Sequence, residues 1–355
     1  MTPSTVTRRA LWVDAAIVGA GIGGLWIANL LAGRGFSVAI CEPRGVGGVQ
    51  TLASQGIVHS GAKYSLDGTT PLSGAIASMP TRWRACLRGE GEIDLRGVRV
   101  LSQTMQLRIG DQTFELDEPV LDVASLVRRL AERVAHRVVA EAVAPESLIV
   151  DDAGIERLGL AGCTIRARIY VLAAGAGNET LAQQTGFAPT ALRHRPLRQT
   201  IVRLRRGASV YAHWAKDARD TEPTLTVTTN GLLMNIGGGV ADAGAQRSEA
   251  VQIGLVRELL REGFADIDLA DAEFETFVAV RAEPDGKTIR DVPDAFVARH
   301  GNCLLCLPVK LSLAPRLGDL ALAALGRLEP ATATWPGDPD RRVVFATPPN
   351  HPTPC

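Results

Sequence analysis

The chain has 355 residues, with 38 Lys plus Arg against 38 Asp plus Glu, and 46% of it is hydrophobic. This zero net charge gives no field for nucleic acid or an anionic membrane surface, and no run approaches the ~20 apolar residues of a membrane helix. What remains is a globular chain long enough for one large domain or two interleaved ones, without an apolar leader and read as cytoplasmic.

The spacing predicts a short apolar strand over residues 13–18, then Gly19-Ala20-Gly21-Ile22-Gly23-Gly24, a helix over 25–34 and a stop at Gly35. A second strand over 36–40 ends at Cys41 and Glu42. This is the dinucleotide fingerprint between a strand and a helix. Gly19 permits the tight turn, Gly21 lets backbone approach a pyrophosphate, Gly23 keeps the turn small, and Gly24 allows close helix–strand packing. The helix start offers N–H groups and a positive dipole to the diphosphate. Glu42 stands where an acid grips the adenosine ribose hydroxyls.

An NAD domain would continue into another helix and strand. This chain runs instead from Pro43 to Gly61 through a small-residue loop with a short helix start near Gln50, able to wrap a ligand larger than ADP. Strand character follows over 96–107, then a helix over 123–137 with Val123, Leu126, Val127, Leu130 and Val134 at helical spacing. A strand over 138–143 and a hairpin through Asp151 to Gly154 come next, then an apolar strand over 165–172 ending in Ala173-Ala174-Gly175-Ala176-Gly177. Strands at 199–205, 225–229 and 232–237 precede an amphipathic helix over 246–263. Cys303 and Cys306 lie in an apolar strand over 302–307, so they read as structural, and no other Cys or His spacing suggests a metal. Lys310-Leu311-Ser312 lead to a helix over 317–325. The tail over 327–355 is rich in Pro, Asp, Arg and Thr and reads as an extended or disordered appendage, or as an arm on a partner subunit.

Together these landmarks resemble the D-amino-acid oxidase family of FAD-dependent oxidoreductases over residues 13–325. Gln55-Gly56-Ile57-Val58-His59-Ser60-Gly61 is most similar to the loop of its glycerol-3-phosphate and L-2-hydroxyglutarate dehydrogenases. Val280-Arg281-Ala282-Glu283-Pro284-Asp285-Gly286 and the Leu-Ala-Pro start of the last helix also match. The chain departs at Leu307-Pro308-Val309-Lys310, where the family often has Gly-His-Gly, and the segment 101–116 looks short.

The resemblance implies an α/β fold: a discontinuous Rossmann-type FAD-binding domain from 10–80, 120–190 and 275–326. Inserted in it would be an α+β substrate domain on a mostly antiparallel sheet, from 81–119 and 191–274. FAD would be bound non-covalently by Gly19, Gly21, Gly23, Gly24, Glu42, Pro43, Gly48, Thr51, Ser54, Gln55, Gly56, Val139, Ala174, Gly175, Lys310, Leu311 and Ser312. A small anionic amine or alcohol, an amino acid or 2-hydroxy acid, would lose hydride to flavin N5.

Three residues carry the expected chemistry. Arg281 would grip a carboxylate with its guanidinium fork. His59 would lie under the isoalloxazine as base, hydrogen-bond donor or attachment point. Lys310 and the last helix would stabilise charge on the reduced ring. Tyr64, Tyr211 and His213 are weaker candidates, the last two sharing one face of a strand. Oxygen and a quinone or carrier protein are both open as electron acceptor, as is a homo-oligomer. The competing readings are an auxiliary, non-catalytic flavin subunit and an NAD-dependent enzyme.

Overall fold

A computed structural model describes residues 9–62, 71–188, 192–216, 223–285, 294–331, 335 and 337–349; Tyr64 and Gly286 lie outside them. The strand Arg9–Val18 sits at the centre of the first sheet because its last six residues are all buried. It pairs in parallel with Val38–Cys41 on one side and Cys163–Leu172 on the other. Val138–Val139 and Cys303–Leu307 extend the parallel order outward, and Phe296–His300 closes one edge antiparallel. Layers on both faces explain why these strands read as continuous apolar runs. The helices Ile22–Gly33, Val123–Glu132 and Ala314–Leu325 pack into one core with Trp26, Leu126 and Leu317. The hairpin Leu148–Asp151 with Gly154–Gly159 and the helix Asn178–Gln184 cover the other face. Cys303 and Cys306 point into these two different cores, and burial pushes the Cys303 thiol up to about 12. They form no redox pair.

Among the described residues the second sheet has seven strands, in the order Glu273–Pro284, Leu192–Arg203, Leu233–Gly237, Leu225–Asn230, Ala212–Ala215, Met105–Ile109, Gln112–Leu116. Every pairing is antiparallel except Ala212–Ala215 against Met105–Ile109. Leu233–Gly237 pairs with Leu192–Arg203 only from Thr200 onward, so Pro196 sits where no second neighbour needs its missing N–H. The helix Glu249–Gly263 packs on this sheet's back through Val256, Leu259 and Leu260, and the Ser248 side chain caps it by accepting from the Val251 N–H.

Several expected boundaries move. The strand read over 96–107 is two, Val100–Ser102 and Met105–Ile109, which belong to different sheets. The helix read over 123–137 ends at Glu132, and the strand read over 138–143 is only Val138–Val139. A domain boundary at 275 would cut Glu273–Pro284, which pairs along its whole length with Leu192–Arg203. The helix Met79–Arg88 runs across the expected boundary at 80 and buries Met79, Trp83 and Cys86 in the core of the first sheet. The segment 101–116 supplies the outer hairpin of the second sheet.

The described residues of the tail run back along the first domain of the same chain. The Ala331 N–H donates to Asp14 at 3.0 Å, and the Trp335 N–H to the Trp12 carbonyl at 3.0 Å. Val46 then donates to the Val344 carbonyl at 2.7 Å, and Ala346 donates back to the Val46 carbonyl at 2.9 Å. Among the described residues, no helix is long and apolar enough to cross a membrane.

Candidate active site

One continuous cavity runs between the two sheets, from Glu42 to Arg281. At one end lies the turn after Arg9–Val18. A Cβ on Gly24 would stand 2.0 Å from the Gly19 carbonyl oxygen, so helix and turn meet without room for any side chain. Glu42 Oε2 accepts from the Ala20 N–H at 3.1 Å and Oε1 from the Arg44 N–H at 3.0 Å. These bonds aim the carboxylate along the rim of the turn. Thr51, on the short helix Val49–Leu52, accepts the Ile22 N–H at 2.9 Å and brings the second glycine loop against the first. Ala346 of the tail lines the cavity here beside Arg44 and Gly45. A Cβ on Gly45 would come within 2.8 Å of the Ala346 nitrogen, which shows how tightly the tail closes on this loop.

The middle is walled by Gly48, Ser54, Gln55, Gly56, Ala174 and Gly175. The Gln55 amide donates to the carbonyls of Thr226 at 2.8 Å and Asn235 at 3.0 Å, tying the first domain to the second sheet. Pro308-Val309-Lys310 approach from the strand Cys303–Leu307, and Lys310 and Leu311 line the cavity. Val309 adopts φ 61°, which a β-branched residue rarely takes, and the Lys310 N–H donates to the Pro308 carbonyl at 2.6 Å across it.

The far end is basic. Arg281 stands directly opposite Arg195 in the antiparallel pairing, so both side chains share one face, and both line the cavity. Arg195 is held by Glu283 at 3.0 Å and by Asp242, and these carboxylates outweigh burial to raise its pKa. Glu283 is fully buried; burial opposes its charge, but Arg195, Lys310 and Arg281 keep its pKa below the ordinary value. The Glu283 carboxylate is taken up largely by Arg195 and Arg193.

His59 lines the cavity and faces a cluster that the sequence did not disclose. Its Nδ1 lies 3.2 Å from Glu118 Oε2, and His213 Nε2 lies 3.1 Å from the same oxygen. The Ser60 N–H and hydroxyl donate to Glu118 Oε1 at 2.8 and 2.9 Å. Burial alone would raise the Glu118 pKa, but the two histidines more than reverse it and hold the carboxyl well below the usual range. The three ligating atoms of His59, Glu118 and His213 lie within 4.8 Å of one another, so this is also where a cation's donor set could be sought. Tyr211 and His213 do share a face, as expected; it is the inner one, with Tyr211 packed beside Met105 and Leu107.

Of the expected cofactor residues, Gly19, Gly21, Gly23, Glu42, Gly48, Thr51, Ser54, Gln55, Gly56, Ala174, Gly175, Lys310 and Leu311 line the cavity, as do His59 and Arg281. Four do not. Gly24 lies behind the turn, and Pro43 is exposed outside the cavity's lining. Val139 reaches the site only through its carbonyl, which accepts from the Glu42 N–H at 3.0 Å. Ser312 is buried beneath the last helix, where its carbonyl accepts from the Trp83 indole at 2.9 Å. Arg195, Glu118 and Ala346 were missed. Arg195 had one signal, its place two residues from Arg193 in an alternating run; Glu118 and Ala346 had none.

Comparison with known proteins agrees with this geometry. Residues 14–108 match the family described as FAD dependent oxidoreductase. A probable FAD-dependent oxidoreductase of Pseudomonas aeruginosa is 36% identical, over 89% of this chain and 92% of that one. The crystal structure of an FAD dependent oxidoreductase from that organism superposes with a TM-score of 0.82 at 35% identity, covering 96% of this chain and 98% of the other. A glycine oxidase from Geobacillus kaustophilus shares the fold, with a TM-score of 0.69 at 16% identity over 92% of this chain and 97% of its own. A glycerol-3-phosphate dehydrogenase of Pseudomonas tolaasii is 39% identical over 66 residues, 18% of this chain and 13% of that one.

Proposed function

The chain belongs to the FAD-dependent oxidoreductases, and from that premise we propose that it binds FAD without a covalent bond and oxidises a small anionic amine or alcohol, an amino acid or 2-hydroxy acid. The residues present fit the cofactor. A turn free of side chains at Gly19 and Gly21 suits the pyrophosphate, and Glu42 suits the ribose of the adenosine half. Gln55, Gly56 and Lys310 would border the ring system. When bound, the flavin supplies a two-electron acceptor.

The observation that carries the substrate class is the pair Arg195 and Arg281, side by side at the far end of the cavity. A planar fork in a partly desolvated wall recognises a carboxylate by two parallel hydrogen bonds. Arg195 is already committed to Glu283 and Asp242, so it braces the wall, and Arg281 is the residue that would take the substrate. His59 would then accept the proton of the substrate's hydroxyl or ammonium group. The lower wall of Leu197, Ala279 and Ala53 is apolar and would exclude water from the reacting carbon.

The test begins with the visible spectrum before and after acid precipitation. Bands near ~370 and ~450 nm that leave with the supernatant establish a non-covalent flavin; colour that stays in the pellet refutes that part. Anaerobic bleaching by a panel of amino and 2-hydroxy acids follows, with their amides and esters as neutral controls. Bleaching by neutral compounds alone would overturn the anionic class. Arg281→Ala should raise KM for the bleaching acid about tenfold or more, the worth of one charge-assisted pair, with the flavin content unchanged. Loss of flavin in that variant would show that Arg281 serves the cofactor.

A further inference from the structure

Glu118 lies between the strand Gln112–Leu116 and Val120–Leu121, and neither it nor His213 has any exposure. Its carboxylate is surrounded by four polar neighbours, two at each oxygen: Ser60 N and Oγ at Oε1, His59 Nδ1 and His213 Nε2 at Oε2. An ionised carboxylate can only accept. Each ring nitrogen facing it must therefore carry its proton, His59 on Nδ1 and His213 on Nε2. His213 Nδ1 is then left to accept from the Thr226 hydroxyl 2.9 Å away, which fixes the second ring in turn. Four donors on one carboxylate match a hydrogen-bonded brace, and they come from two parts of the chain, the loop at 59–60 and the inner face of the second sheet, which meet at the turn that carries Glu118.

We propose that Glu118 is a positioning residue that locks His59 as the Nδ1–H tautomer, so that Nε2 is the basic nitrogen at the cavity, with His213 and Thr226 bracing Glu118 from behind. A buried acid that sets the tautomer of a base is a general solution in proton-transfer sites. The proposal rests on the reading of His59 as the proton acceptor. A consequence follows for Glu118→Gln. The Ser60 N–H can only donate, so the single carboxamide oxygen stays on that side and the NH2 group turns toward the histidines. It then donates where Glu118 accepted, and His59 must shift its proton to Nε2.

The experiment is long-range 1H–15N correlation on the flavin-loaded protein labelled with 15N-histidine, the His59 signals being assigned by their loss in His59→Gln. The wild-type ring is expected as Nδ1–H above neutral pH, and Glu118→Gln is expected to invert it to Nε2–H. The rate of bleaching by the acid identified above should fall ~100-fold or more, the scale of a lost general base, with KM and the flavin spectrum little changed. A wild-type ring in the Nε2–H form overturns the proposal without any variant. So does stoichiometric metal released from the purified protein, because the three side chains would then be ligands. If the ring is Nδ1–H but His59→Gln still bleaches at the wild-type rate, the brace stands and the reading of His59 as base falls.

Discussion

Two glycines of one helix should respond in opposite directions to the same substitution. Gly24 and Gly33 both lie in Ile22–Gly33. A methyl at Gly24 would stand 2.0 Å from the Gly19 carbonyl oxygen, 3.1 Å from its carbon and 3.4 Å from Ile17 Cγ2. The first distance is more than an ångström inside contact, and the atom struck is backbone in a turn that itself packs on the strand end at Ala173. Relief requires the helix to move off the sheet, so Gly24→Ala should cost at least the ~1–3 kcal/mol of ordinary overpacking, at the upper end because no side chain can yield. At Gly33 nothing lies within 4 Å, so Ala there should gain up to ~1 kcal/mol of helix propensity. At ~2 °C per kcal/mol for a chain of this size, thermal melting of the flavin-loaded proteins should separate the two variants by about 6–8 °C. Gly24→Ala should also lose flavin on gel filtration, and Gly33→Ala should not. Equal melting temperatures and equal flavin content would refute the claim that close approach, and not helix flexibility, selects Gly24.

Shortening the tail to end before Val344 removes two backbone hydrogen bonds to Val46 and the Ala346 wall; at ~0.5–1.5 kcal/mol each, FAD should bind about tenfold more weakly in a fluorescence titration, and an unchanged Kd would reduce the tail to mere packing. At Val309 the order of stability should invert the order of size: Val309→Gly is expected to melt above Val309→Ala, because only glycine escapes the cost of φ 61°, and the opposite order would show that the turn relaxes. Acid sensitivity should follow Asp14, where burial works against the charge but donors from Ser37, Ala331 and Arg168 lower its pKa. A depressed carboxyl contributes stability above its unfolded value near ~3.9, lost as pH falls through the folded value, so melting temperature should drop more steeply below pH ~4 in the wild type than in Asp14→Asn; parallel curves would remove Asp14 from the account.

The residues most legible in the sequence are those whose role is local. Gly19, Gly21 and Glu42 act through a turn and the end of the next strand, so spacing alone discloses them. Cys303 and Cys306 are equally plain, since apolar neighbours in a strand put residues three apart on opposite faces. Arg281 was found through a resemblance, and its partner Arg195 was not, because only the antiparallel register sets the two side by side. Glu118 has no local mark at all; its role comes from Ser60, 58 residues away, and His213, 95 away. The docking of the tail has no local mark for a related reason. Polar, proline-rich composition forecasts a segment without its own core, and this one borrows hydrogen bonds from Trp12, Asp14, Val46 and His136 instead. Val139 stands outside the lining of the cavity, where its carbonyl accepts from the Glu42 N–H.

The central strand Arg9–Val18 is made before its long partner Cys163–Leu172, and that partner in turn awaits Cys303–Leu307. Contacts of such sequence separation fold slowly, because each loop must be closed before the pairing rewards it. Between these events the chain must also lay down most of the second sheet. The glycine turn, although near the start, is shaped by Ala173, whose carbonyl oxygen lies 2.6 Å from where a Gly19 Cβ would stand. During synthesis the nascent chain therefore carries an unfinished nucleotide cradle on an unpaired apolar strand edge. A cofactor that needs this cradle would bind late, to an assembled framework, and its shortage should lower the yield of folded protein more than arrest folding early.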